Sequence, residues 1–192
     1  MSNTLVDGLK ERIVNAMGMN HAVGVVLPSN NYTDLLQAMF DFMAEKKEVS
    51  WIYVTSTSPF DSLKEQFFSD DIQSSVFFID CISRAAGIQS DSSQCLFLES
   101  PSELERLILE IINAVKTKQN QETYVVLDSL SSLVLYNDVF LVSEFFTHLM
   151  NNARIANAHT ISLCIEEEMD DALNKVLYLK NDKIIKVRES FI

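Results

Sequence analysis

The chain has 192 residues, a formal net charge of −12 and a hydrophobic fraction of 47%, and it contains no apolar run of the roughly 20 residues that cross a bilayer. This length predicts a single domain over residues 1–192, with a core over about 20–190 and an N-terminal helix over about 4–17. The acidity disfavours nucleic acid as a partner, because such binding depends on basic side chains that neutralise phosphates. The N-terminal residues show no signal-peptide pattern, so we expect a cytoplasmic protein that does not bind membranes.

Short apolar runs rich in β-branched residues alternate along the chain with stretches of helical periodicity. The predicted strands are 22–27, 49–55, 75–80, 95–98, 123–128 and 160–165. The predicted helices are 32–45, 102–118 and 139–156, in which apolar residues recur at spacings of three and four. This alternation is typical of βαβ units, and it predicts an α/β fold with a mainly parallel central sheet covered by helices on both faces.

The C-terminal segment follows a different pattern. Two apolar stretches, 175–179 and 183–187, are joined by Lys180, Asn181 and Asp182, and Asn and Asp are common turn residues. This segment predicts an antiparallel β-hairpin at the edge of the sheet.

The sharpest candidate for chemistry is Asp128, which ends the apolar run 123–128 and is followed by Ser129. In a parallel sheet this residue lies at the carboxyl edge, where ligands bind. An acid there can hold Mg²⁺ in a nucleotide hydrolase, or it can cap the turn that follows the strand. The segment alone supports both interpretations equally.

Three segments resemble the RecA superfamily of P-loop ATPases, and most closely its archaeal KaiC-like branch. The sequence TYVVLDSLSS at 123–132 resembles the Walker B strand, WIYVTSTSP at 51–59 the second core strand and its exit, and FFIDCISR at 77–84 the family's IDC-S segment. The predicted terminal hairpin is similar to the closing strands of the family. The resemblance covers about residues 20–190 and implies a three-layer RecA-like domain.

The resemblance places the phosphate-binding loop in LPSNNYTD, at 27–34. Active members carry G-x-x-x-x-G-K-[ST] here, where glycines let backbone N–H groups approach the phosphates and the lysine contacts their oxygens. This stretch contains neither glycine nor lysine, Pro28 has no N–H, and Asp34 adds negative charge. The degenerate loop comprises Pro28, Ser29, Asn30, Asn31, Tyr32 and Thr33.

A second departure concerns the glutamate that active members place after the second strand to orient water. The matching residues are Thr55, Ser56, Thr57 and Ser58, none of which is acidic. We therefore expect a degenerate member without catalytic residues and without a cofactor. Weak binding of ATP with Mg²⁺, through an atypical phosphate loop, is the alternative.

Together these residues predict a non-catalytic regulatory or protein-interaction module in signalling or assembly, which contacts a protein partner or a second copy of itself. The first alternative is a divergent nucleotide-binding ATPase or sensor. The second is a phospho-receiver or other doubly wound signalling domain, for which Asp80 and Asp128 would be the strand-end acids.

An acidic cluster also has two interpretations. It is either a solvated first helical turn or a patch that binds a partner or a cation. The cluster comprises Glu166, Glu167, Glu168, Asp170 and Asp171.

The three histidines share no spacing typical of a metal site, and the three cysteines lie in or beside apolar runs, so we expect neither a metal site nor a reactive thiol.

Overall fold

The computed structural model describes residues 4–68, 75–118 and 120–187, and within them the chain forms a seven-stranded sheet in which all strand pairs are parallel. The helices are α1 (Thr4–Met17), α2 (Tyr32–Glu45), α3 (Phe60–Phe67), α4 (Leu104–Thr117), α5 (Val139–Ile155) and α6 (Asp171–Lys180). The strands are β1 (Ala22–Leu27), β2 (Ser50–Thr55), β3 (Val76–Asp80), β4 (Cys95–Phe97), β5 (Thr123–Asp128), β6 (His159–Ile165) and β7 (Lys183–Lys186). Their order across the sheet is β4-β3-β2-β5-β6-β1-β7.

Two apolar cores lie on opposite faces of the sheet. The first is built with α1, α2 and α3, and the second with α4, α5 and α6. Successive side chains of a strand point to opposite faces, so Trp51 and Tyr53 of β2 enter the first core and Ile52 and Val54 the second. The predicted strands and the predicted three-layer arrangement are confirmed. Within the described residues, every helix is too short or too polar to span a bilayer.

The predicted antiparallel hairpin is wrong. Residues 175–179 belong to helix α6, and the segment from Lys183 pairs in parallel with β1. The helix forms because Asp170 accepts a hydrogen bond from a first-turn amide, and because Leu173 and Leu177, four residues apart, are both buried. Some apolar residues of this segment are exposed on the helix. Together with the buried ones they form a continuous apolar run in the sequence, which is typical of a strand.

Asp80, at the end of β3, has a structural role. The side chain is fully buried, and each carboxylate oxygen accepts two hydrogen bonds. The donors are the backbone N–H groups of Phe60, Ile82 and Ser83 and the Ser83 hydroxyl, at 2.6–2.8 Å. Asp80 therefore joins the turn after β3 to the first turn of α3.

Candidate functional site

The candidate site lies at the carboxyl ends of β1, β2, β5 and β6, which meet at one edge of the parallel sheet. The loop after β1 consists of Pro28 and a short 3-10 turn over Ser29–Asn31, and α2 begins at Tyr32. The backbone N–H groups of Asn31 and Tyr32 donate to the carbonyl oxygens of Pro28 and Ser29. These two amides are used inside the turn, and they do not converge on an external anion.

The first N–H group of this turn binds a carboxylate of the protein itself. The Ser29 nitrogen lies 3.0 and 3.1 Å from the two carboxylate oxygens of Glu167, and the Ser29 hydroxyl donates to one of them at 3.0 Å. Hydrogen bonds from the N–H groups of Glu167 itself and of Ser29 lower the pKa of this carboxyl. The ionised Glu167 carboxylate thus binds the Ser29 N–H group. In an active loop, backbone N–H groups of this type bind phosphate oxygens.

The acidic turn Glu166–Glu168 connects several strand ends. Glu166 pairs with Lys186 of β7 at 3.0 Å, and Glu168 accepts hydrogen bonds from the hydroxyls of Ser131 and Ser132 at 2.9 and 2.7 Å. All three glutamates therefore bind protein groups from other loops or strands. Among the described residues, no group of three His, Cys, Asp or Glu side chains is arranged so that it could hold a metal ion.

Asp128 is 1% exposed and accepts hydrogen bonds from three hydroxyl groups. Tyr53 donates to one carboxylate oxygen at 2.7 Å, while Thr57, at 2.9 Å, and Tyr32 donate to the other. Burial raises the pKa of Asp128, and the hydrogen bonds from the three hydroxyls oppose that change. Asp128 therefore links the end of β5 to β2, to the loop after β2 and to the start of α2.

The hydroxyls of both tyrosines donate hydrogen bonds to Asp128. Burial and the neighbouring Asp128 carboxylate raise the pKa of both Tyr32 and Tyr53 well above the ordinary value. Tyr32 also packs against the core formed with α1, α2 and α3. The Tyr32 side chain thus reaches from the start of α2, which follows β1, to Asp128 at the end of β5, although β6 lies between β1 and β5 in the sheet.

The turn after β2 is the position of the glutamate in active members of the RecA superfamily. Here it forms hydrogen bonds within the turn and to the turn after β5. The Thr55 hydroxyl donates to the Ser58 carbonyl at 2.7 Å. The Ser56 N–H donates to the Asp128 carbonyl at 2.6 Å, and its hydroxyl donates to the Ser129 carbonyl at 3.0 Å. The Asp128–Ser129 peptide bond is cis. These hydroxyls hold two turns together.

Of the residues proposed from the sequence, Ser29, Tyr32, Asp128 and Ser129 enter this set of hydrogen bonds, whereas Thr33 is exposed on α2. Sequence reasoning missed the roles of three further residues. They are Tyr53, Thr57 and Glu167. The first two could have been found from the hydroxyl groups in and after the strand that pairs with β5. No local signal identifies Glu167, which lies 138 residues from its partner Ser29.

The three thiols are buried, and the histidine pair lies outside this network. The three cysteines are free and buried, and burial raises the pKa of Cys164 to about 12. His21 and His159 stack with ring centroids 4.6 Å apart at the opposite, amino-terminal edge of the sheet.

Two solved structures from Pyrococcus horikoshii resemble this domain. An uncharacterised protein, crystallised in complex with an unknown peptide, aligns with a TM-score of 0.69 and 14% identity over 93% of this chain and 82% of its own. A KaiC-like protein aligns with a TM-score of 0.61 and 14% identity over 90% of this chain and 74% of its own. The chain has a KaiC-like fold.

The resemblance predicted from the sequence is thus confirmed for the fold, and fold alone does not assign an activity. No protein-family model matches the sequence, and the search of curated proteins found no match.

Proposed function

We propose that this KaiC-like domain is a non-catalytic regulatory or protein-interaction module in signalling or assembly. The observation that carries the proposal is the internal bonding of the loop after β1: its Ser29 N–H binds Glu167, and Tyr32 binds Asp128. A nucleotide would have to displace an ionised carboxylate from this loop and bring further negative charge beside it.

The residues near this loop also supply little of the chemistry of ATP hydrolysis. The stretch 27–34 has no lysine to contact phosphate oxygens. The turn after β2 offers hydroxyl groups, which do not act as bases at neutral pH without an activating partner. Asp128 already accepts three hydrogen bonds, so Mg²⁺ would have to compete with them.

Protein contact is the role that remains once turnover is set aside. The P. horikoshii protein crystallised with an unknown peptide supports it, since that protein has the same fold. The net charge of −12 opposes nucleic acid as the partner.

The test is nucleotide binding by the full chain, measured by thermal shift and calorimetry with Mg-ATP and Mg-ADP, together with phosphate release. An active P-loop ATPase serves as the positive control. Nucleotide at 100 times its Kd would stabilise the fold by about 2.7 kcal/mol, so a micromolar site would be visible at millimolar nucleotide. We expect no stabilisation and no turnover.

The opposite result has a specific signature. Nucleotide binding that is lost in Asp128→Asn and retained in Glu11→Gln, an exposed position on α1, would refute the proposal. It would support the alternative, a divergent nucleotide sensor or ATPase.

A further inference from the structure

A furrow runs between α4 and α5 on the side of the sheet opposite α1. Its larger cavity, about 790 Å³, lies along the first part of α4, and its smaller cavity, about 180 Å³, lies toward the ends of both helices. Ile112 and Asn152 line both cavities, so the two form one furrow. Helices rise about 1.5 Å per residue, so the 14 residues of α4 give the furrow a length of about 20 Å.

Apolar side chains form part of the furrow wall, among polar and charged ones. Ile108, Ile112, Leu141 and Phe145 line the larger cavity. Eleven large apolar side chains are exposed in the described residues, and six of them belong to α4, α5 or the turn before α5. These six are Leu109, Leu135, Tyr136, Phe140, Leu141 and Ile155. Two of the six, Leu141 and Ile155, line the furrow itself, and exposed apolar side chains beside a groove are typical of an interaction surface.

The rim of the larger cavity is acidic. Glu103, Glu105 and Glu144 line it, and Arg106 is paired with Glu103 at 3.4 Å, which leaves Glu105 and Glu144 at this end, while Lys116 lines the smaller cavity at the other end. The net charge of the whole chain, −12, has the same sign. Electrostatic complementarity therefore favours a cationic partner and opposes an acidic one.

The shape of the furrow favours a helix as the bound element. Both walls are helices whose backbone groups bond within their own turns, so an extended peptide would find no strand edge to pair with. A helix satisfies its own backbone hydrogen bonds and needs only an apolar stripe to enter such a groove. A helix of about 14 residues spans the length of α4.

We infer that the furrow between α4 and α5 binds a basic amphipathic helix of a partner protein. The apolar stripe of that helix packs on Ile112 and Leu141, and its Lys or Arg side chains face Glu105 and Glu144. This inference rests on the proposed function, and it adds the binding surface and the chemistry of the partner.

A second copy of this chain fits the furrow less well. A symmetric dimer through this face would bring the same patch of both copies together. Each copy would then present to the other a lining with three glutamates against Arg106 and Lys116, and this excess of like charge is unfavourable. Charge therefore selects a different protein as the occupant.

The test uses the full chain and fluorescent model peptides of about 16 residues, the length of a four-turn helix. One peptide carries Leu at helical spacing with Lys elsewhere, a second replaces Lys by Glu, and a third scrambles the Lys peptide. Anisotropy titrations should show micromolar binding of the Lys helix that weakens with salt, and at least about tenfold weaker binding of the other two.

Matched variants locate the binding. Leu141→Ser and Glu144→Lys should each weaken the Lys helix about tenfold. Leu179→Ser, at a 75% exposed position on α6, and Glu11→Lys, on α1, should leave the affinity unchanged. Amide chemical shifts of the unmodified chain should change along α4 and α5, which gives a location without any substitution.

Several results would overturn the inference. They are the absence of binding by the Lys helix, equal weakening by the control variants, amide chemical-shift changes confined to another face, and a homodimer that Leu141→Ser dissociates.

The nucleotide assays separate this inference from the proposed function. A nucleotide-inert chain that does not bind the Lys helix refutes only the furrow, whereas a chain that hydrolyses Mg-ATP and binds the helix keeps the furrow and refutes the non-catalytic role.

Discussion

The hydrogen bond between Tyr53 and Asp128 is the contact whose removal tests the site most directly. Tyr53→Phe deletes a buried hydroxyl that donates at 2.7 Å to a carboxylate that is 1% exposed. Hydrogen bonds to charged groups contribute about 1.5–3 kcal/mol, and two other donors to Asp128 remain. We expect the free energy of unfolding, measured by urea denaturation at pH 7, to fall by about 2 kcal/mol, or about 5 °C in Tm for a domain of this size.

The loss should depend on pH in a defined direction. Burial raises the pKa of Asp128 above its unfolded value, so the folded chain binds this proton more tightly. The contribution of this proton to the free energy of unfolding is fully present below the pKa of Asp128 in the unfolded chain, and it is lost as the pH rises through the pKa of Asp128 in the folded chain. Tyr53→Phe removes a donor to the ionised form and raises that pKa further. The penalty should therefore be largest at pH 7 and smaller near pH 4, about the ordinary carboxyl pKa.

Tyr124→Phe is the matched control, because Tyr124 lies on the neighbouring strand and is equally buried, at 1% against 0% for Tyr53. Its hydroxyl meets the half-exposed pair Lys46 and Glu122, so the same deletion should cost less than about 1 kcal/mol. Equal losses in the two variants, or a Tyr53→Phe penalty that does not change between pH 7 and pH 4, would refute the assigned role of Asp128.

Other parts of the fold give further predictions. Gly24→Ala would place a methyl group 2.7 Å from Ile184 Cδ1 and should lower the free energy of unfolding, measured by urea denaturation, by about 1–3 kcal/mol. Gly8→Ala, on α1, adds a methyl group that meets nothing within 4 Å beyond the adjacent helix backbone, and it should instead stabilise by about 0.5–1 kcal/mol. Equal effects of the two substitutions would contradict this packing. Asp170→Ala should cost about 1 kcal/mol and speed amide exchange in the first turn of α6, and unchanged exchange would argue against the cap. The three buried thiols should resist a thiol reagent at pH 8 until the chain is unfolded, and rapid reaction of any of them in the folded chain would contradict their burial.

Two features of the loop after β1 underlie the proposed absence of turnover. One is loss of the phosphate-binding residues, which is visible in the sequence as the absence of glycine and lysine over 27–34. The other is occupation of the remaining donors by the protein, which requires Glu167 to approach Ser29. Reversing the first alone would leave the carboxylate in place, so adding glycines and a lysine should not be sufficient to produce turnover.

Asp128 shows how a strand-end acid can have more than one role. Its position at the carboxyl edge of β5 follows from the apolar strand that precedes it, and the sequence left a magnesium ligand and a structural group as equal alternatives. The three hydroxyl donors favour the structural group, and two of them come from tyrosines whose rings pack in the first core.

The sequence by itself determined the alternation of strands and helices, the parallel sheet with two covered faces and the position of Asp128, because these follow from local hydrophobic patterns. It did not determine α6, because a short segment with exposed Tyr178 and Leu179 has apolar residues at both strand and helix spacing. Only burial of Leu173 and Leu177 against the sheet selects the helix. The contact of Glu167 with Ser29 likewise depends on β6 pairing with β1, which brings together residues that are far apart in the chain.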